Sequence, residues 1–284
     1  MLLAVAGCSL SLPDVSSGNP NAVYAELDDD FERVGGTPEG AVWTEYEERN
    51  ANEVLSVTAE AAHRGAGGLQ FKDTQPGTGN AVCSHLIKRR DAGTAEGSLR
   101  SWLRVRGTNG QGYNISLFLE SENGTDPTQG GFTGSNLIHN AESVDTGQNI
   151  RNTNLPFDAG VWMLYELSVR ECDDAGACSA RLLVDGRERS QWPIRRGTTR
   201  VFNFGVGAVF CGAEFQGTVD FDDVRFHERP LASTLVVTGD SAAPSECAPL
   251  RVELRDSFGA PADAPYDVEA TVWVDGGATY GDPA

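Results

Sequence analysis

The sequence predicts an all-β protein whose larger part is a sandwich or barrel, on three observations. Apolar residues recur with a period of two in run after run, the signature of strands whose alternate side chains face a core. The 33 glycines and 13 prolines are spread between these runs, as a turn-rich β chain requires. No segment holds a helical period bounded by caps.

The length of 284 residues suffices for one large domain of this type and part of another. Lys and Arg number 22 against 41 Asp and Glu, a formal charge of −19. Such a field repels phosphate backbones and anionic headgroups, which argues against a nucleic-acid partner. No apolar run approaches the ~20 residues that a helix needs to span a bilayer.

In chain order, the first element is "LLAVAGCSLS". It resembles the end of a bacterial lipoprotein signal, in which small residues, here Ala6 and Gly7, precede a lipidated cysteine. The resemblance makes Cys8 the lipid anchor and residues 1–8 a signal remnant, although no basic segment precedes the short apolar stretch. Ser9 after that cysteine implies sorting to the outer membrane. Residues 9–27, with "SLPDVSSGNPN", read as a tether.

From Asp28 the chain becomes strand-like. "SLRSWLRVR" sets Leu99, Ser101, Leu103 and Val105 against Arg100, Trp102, Arg104 and Arg106. "NISLFLES" sets Ile115, Leu117 and Leu119 against Asn114, Ser116, Phe118 and Glu120. "WMLYELSVR" sets Met163, Tyr165, Leu167 and Val169 against Trp162, Leu164, Glu166 and Ser168. "VFNFGVGAVF" and "GTVDFDDVRF" complete the series. "FHERPLAST" marks a boundary near residue 230, giving a domain over 28–230 and a second over 231–284.

Five cysteines remain once Cys8 is assigned to lipid. A zinc site would need C-x2-C pairs or histidines at ligand spacing, and His63, His85, His139 and His227 are scattered singly. A redox C-x-x-C is absent. Cys172 and Cys178, either side of "DDAGA", are therefore expected to pin a hairpin tip by a disulfide in an oxidising, extracytoplasmic compartment. Cys83 with Cys211 is the next pairing, which leaves Cys247 over.

The order of a Trp-led strand, a turn, "LLVDG", "FNFGVGAVFCG" and "FQGTVDFDDVRF" resembles the C-terminal half of concanavalin A-like, laminin-G-type jelly rolls. Upstream, "DDDFERV" and "AAHRGAGGLQF" resemble the first strands of such domains and of jelly-roll carbohydrate-binding modules. The likeness spans about residues 28–228 and implies a jelly-roll β-sandwich. Residues 231–284, with the "D-x-x-G-x-P" turn in "DSFGAPA", resemble the first strands of a bacterial Ig-like domain of the invasin or adhesin type. The resemblance further implies a structural Ca²⁺ held by Asp30, Glu32 and Asp222, hard oxygen ligands gathered where first and closing strands meet. The alternative for Asp222 is a bond to loop amides.

Catalytic signatures are missing. No E-x-D-x-E strand, which would place a carboxylate pair across a glycosidic bond, is present. Glu45, Glu47 and Glu48 in "TEYEE" read as a solvated edge, and no G-x-S-x-G elbow occurs. The alternation instead offers an outward face bearing Arg100, Trp102, Arg104, Asn114, Phe118, Glu120, Trp162 and Glu166. Aromatic faces stack on sugar C–H groups, and guanidinium, amide and carboxylate groups pair with hydroxyls. The competing arrangement is a loop or neighbouring domain lying over Trp102 and Phe118, or a reversed register with Trp102 in the core. The expectation is a lipid-anchored surface protein with a non-catalytic role in glycan binding or adhesion. The alternatives are a lyase or glycosidase of the same fold, or a structural spacer.

Overall fold

The structure is a computed structural model that describes residues 2–3, 27–47, 53–73, 84–94, 96–109, 115–120, 128–133, 136–143, 147–170, 178–194, 201–208, 216–228, 232–239 and 250–262. The described residues contain strands and a single 3-10 turn, Ala59–Ala61. The larger compact unit spans Ala25–Pro230. It holds two antiparallel sheets.

The first sheet runs in the order β14 (Arg187–Ile194), β13 (Cys178–Val184), β12 (Met163–Arg170), β7 (Gly97–Asn109), β16 (Gln216–His227), β5 (Gly68–Asp73) and β4 (Glu53–Thr58). The short β2 (Leu27–Asp29) also pairs with β16. The second sheet runs β11 (Gly147–Pro156), β10 (Asn136–Ser143), β9 (Thr128–Thr133), β8 (Ile115–Glu120), β15 (Val201–Ala208), β6 (His85–Thr94) and β3 (Glu45–Glu47). The chain passes between the two sheets several times, as from β6 to β7, β7 to β8 and β15 to β16, which is the behaviour of a jelly roll.

The period of two fixes which side chains meet between the sheets. Leu99, Leu103 and Val105 of β7, Tyr165 and Leu167 of β12, Leu69 and Phe71 of β5 and Phe221 of β16 are all buried. They join Leu86 of β6 and Phe204 and Val206 of β15 in one core. Phe204 stacks on Phe226 of β16 at 3.9 Å, a contact that links the sheets directly. Each such side chain contributes about 1.5–3 kcal/mol by leaving water. A large aliphatic-to-Ala change here leaves a cavity and costs about 2–5 kcal/mol.

The second unit contains a three-stranded sheet in the order β1 (Leu2–Leu3), β18 (Leu250–Asp256) and β17 (Ala232–Gly239). The "DSFGAPA" turn closes on Asp256, whose Oδ1 accepts the amides of Phe258 at 2.8 Å and Ala260 at 2.9 Å. Gly259 sits at φ 83, in the left-handed region that a side chain would strain.

Cys8, Cys83, Cys172, Cys211 and Cys247 lie outside the described residues, as does the side chain of Cys178.

Candidate functional site

The expected binding face is not one surface. Arg100, Trp102, Arg104 and Glu166 stand on β7 and β12 in the first sheet, whereas Phe118 and Glu120 stand on β8 in the second. The cause is topological: β7 and β8, successive strands along the chain, belong to different sheets. The register pairs Phe118 with Gly205 and Glu120 with Asn203, while the side chains of both, and all of Asn114, lie outside the described residues.

On the first sheet, Arg100 and Glu166 face each other across the β7–β12 ladder and are buried. Arg100 Nε donates to Glu166 Oε2 at 2.6 Å. Glu166 Oε1 accepts the hydroxyls of Ser98 at 3.1 Å and Ser168 at 2.6 Å. This group is satisfied internally and offers nothing to a ligand.

One row along, the same face is half-exposed and aromatic. Trp102 is cross-strand neighbour to Leu164 on one side and Asp222 on the other. His63 lies on Trp102 with ring centres 3.9 Å apart and planes 22° apart, and it meets Trp162 edge-on at 5.2 Å. The Arg104 guanidinium sits 4.5 Å over the Trp162 ring. Arg104 is itself fixed by the buried Asp220, with Nε to Oδ2 at 2.9 Å, and by the Glu60 carbonyl. Asp220 also takes the Arg106 guanidinium at 2.8 Å and the Gln70 amide at 3.3 Å.

The loop that carries His63 is held by carboxylates. Asp222 Oδ2 accepts the amides of His63 at 2.7 Å and Arg64 at 3.0 Å, and its Oδ1 accepts that of Asp223 at 2.8 Å. Both oxygens of Glu32 accept from the Ala66 amide, at 2.9 and 2.7 Å. Asp30 Oδ1 accepts from the Glu32 amide at 3.3 Å. The three residues expected around a cation thus each bond backbone amides, the alternative weighed for Asp222. No group of three His, Cys, Asp or Glu side chains among the described residues is placed to hold a metal. Burial pushes the Asp222 carboxyl up to about 6, against the pull of its three amide donors. Burial, with Arg64 beside it, moves His63 below its ordinary value, so the ring is neutral at pH 7.

Beyond Trp162 lies a cleft of about 150 Å³. Two turns form its sides. The segment before β12 folds over so that the Gly160 amide donates to the Val105 carbonyl at 2.7 Å. Asp185 and Gly186, at φ 52 and 72, make the tight turn between β13 and β14, a conformation suited to the Asp-Gly pair. The Asp185 amide donates to the Leu164 carbonyl and its Oδ1 accepts the Leu164 amide, both at 2.9 Å. The buried Met163 and Val184 line the bottom, with Trp162 and Phe157 beside them. The exposed Asp158, Asp185, Arg189 and Val161 form the rim.

On the second sheet, Glu45 accepts from Arg89 at 2.6 Å and lies 3.8 Å from His85 Nε2. β3, which carries Glu45 and Glu47, is an edge strand. Glu48 lies outside the described residues.

No family model matches the sequence, and no curated protein matches it. Solved structures do. An endo-β-1,4-glucuronan lyase from the fungus Trichoderma reesei is 19% identical, with a TM-score of 0.54 over 72% of this chain and 95% of its own. The cellulose-induced protein Cip1 is 15% identical, with a TM-score of 0.52 over 72% of this chain and 97% of its own. A carbohydrate esterase from the Shiga toxin-encoding bacteriophage phi24B is 12% identical, with a TM-score of 0.50 over 73% of this chain and 99% of its own. The chain therefore has the jelly-roll β-sandwich fold, and at these identities the likeness stops at the fold.

Of the side chains in and around this cleft, the sequence reached Trp102, Arg104 and Trp162 through alternation. His63, Phe157, Asp158, Asp185 and Arg189 escaped it, because they sit in loops, at a turn or beside one, where no period applies.

Proposed function

We propose that the Ala25–Pro230 unit is a non-catalytic carbohydrate-binding module and that its sugar sits in the Trp162 cleft. The composition of that cleft carries the reading: an apolar bottom and two aromatic rings beside two carboxylates and a guanidinium. Sugars need both kinds of surface, C–H faces against rings and hydroxyls against paired donors and acceptors. The place moves from Trp102 to Trp162, because His63 already covers a face of Trp102. Two of the proteins with the same fold are named for work on carbohydrates, a glucuronan lyase and a carbohydrate esterase, which is in keeping with this ligand class. The lipid on Cys8 would hold the module at the outer membrane, in a role in adhesion.

The test is binding of the whole protein to a broad glycan panel, with the supernatants assayed for released sugar. The expected result is binding without release. Trp162→Ala is expected to weaken it about tenfold or more, the size of effect that a stacked ring and its buried area supply. Sugar release by the wild type would show an enzyme instead. A panel with no bound carbohydrate would reject the reading.

A further inference from the structure

Resting on that reading, the geometry points to recognition of a single neutral sugar ring at a chain end or branch, not of the interior of a polysaccharide chain. The cleft is small. Clefts that enclose ordinary small-molecule ligands run to about 300–1,000 Å³. This one, at about 150 Å³, is smaller than that whole range.

The cleft is also stopped at one end. A chain bound by its interior must enter the cleft at one side and leave at the other. On one side Trp162 is backed by the His63 edge and by Arg104, and behind them stands Trp102. This stop is fixed. Asp222 and Glu32 pin the His63 loop through the amides of His63, Arg64 and Ala66, and Asp220 pins Arg104. The turns at Gly160 and Asp185 are tied to Val105 and Leu164 by backbone bonds. Widening the cleft into a through-groove would break several of these bonds at once and leave their donors and acceptors to find new partners.

The charge of the rim selects against an anionic sugar. The rim carries Asp158 and Asp185 against Arg189, on a chain of net charge −19. A uronate entering that rim meets like charge, while the hydroxyls of a neutral ring find acceptors in the carboxylates and donors in the guanidinium.

The experiment is calorimetric titration of the full chain with methyl glycosides of glucose, galactose, mannose and xylose. The β-1,4-linked oligomers of the sugar that binds follow, from dimer to hexamer, with glucuronate oligomers beside them. The expected molar affinity stays within about threefold from the methyl glycoside to the hexamer. Arg189→Ala, a change at the exposed rim, is expected to weaken it several-fold with no change in melting temperature.

A tenfold or larger rise with chain length would overturn single-ring recognition and leave carbohydrate binding standing. Tighter binding of glucuronate oligomers would overturn the neutral class alone. Affinity untouched by both Arg189→Ala and Trp162→Ala would place the site elsewhere and overturn the inference. If no sugar of the wider panel binds, the underlying reading fails as well.

Discussion

Two neighbouring rows on one sheet face look alike in the sequence and behave oppositely in the fold. Arg100 and Glu166 form a buried ion pair whose carboxylate also takes two serine hydroxyls. Two and four residues further along β7, Trp102 and Arg104 belong to a half-exposed cluster with His63 and Trp162, at the side of an open cleft. In "SLRSWLRVR" the three side chains are simply successive outward positions. Alternation tells which face a residue takes; what lies over that face is decided by segments far away in sequence.

The largest expected effect tests the buried row. Glu166→Ala strands the Arg100 guanidinium and removes the acceptor of Ser98 and Ser168, so the loss in a urea titration is expected at about 3–5 kcal/mol. Replacing both Arg100 and Glu166 with Met or Leu is expected to restore most of it, because well-packed apolar side chains spare the desolvation of both charges. A double variant as weak as the single would show that the pair does more than satisfy itself.

Next comes the support of the aromatic row. Asp220→Ala takes the shared carboxylate from Arg104, Arg106 and Gln70. Both guanidinium groups reach solvent in part, so water replaces some of what is lost and the expected cost is about 2 kcal/mol. Loss of glycan binding in this variant below its melting temperature would show that Arg104 sets the position of Trp162.

His63→Ala removes the stack on Trp102 at an expected cost of about 1 kcal/mol, read in thermal melts, and exposes the Trp102 ring. Asp222 adds a dependence on pH. Its folded value, raised by burial to about 6 from an ordinary 3.8, means that the folded protein binds more protons than the unfolded chain between about pH 4 and pH 6. Its contribution is fully present below about pH 4 and is lost as pH rises through about 6. The stability of the wild type relative to Asp222→Asn is therefore expected to shrink across that window and to hold constant above it, in urea titrations at stepped pH. A difference that is flat with pH would contradict the burial of that carboxyl.

The fold was legible because burial leaves a periodic mark. The inward residues of β7 and β12 follow the period of two from Leu99 to Val105 and from Met163 to Val169. The layer assignment was not legible. β7 and β8 share a pattern, yet they belong to opposite sheets, a difference that the period of two does not encode. The candidate site suffered for the same reason. Its defining side chains come from the segment before β12, the turn after β13, the start of β14 and a loop near residue 63, and they meet through long-range contacts that a single sequence does not announce. Trp162 was visible because it heads a strand. Asp222 was visible as an acid beside the first strands, and its partners are the backbone amides of a loop.

A carbohydrate site at Trp162 stands or falls on paired measurements with wild type, Trp162→Ala and Glu166→Ala. Each is titrated with the glycan that binds best, well below its melting temperature. Trp162→Ala is expected to lose about tenfold or more in affinity with little change in melting, while Glu166→Ala melts far lower and binds like the wild type. Unchanged affinity in Trp162→Ala, or binding that tracks melting temperature across the variants, would contradict it.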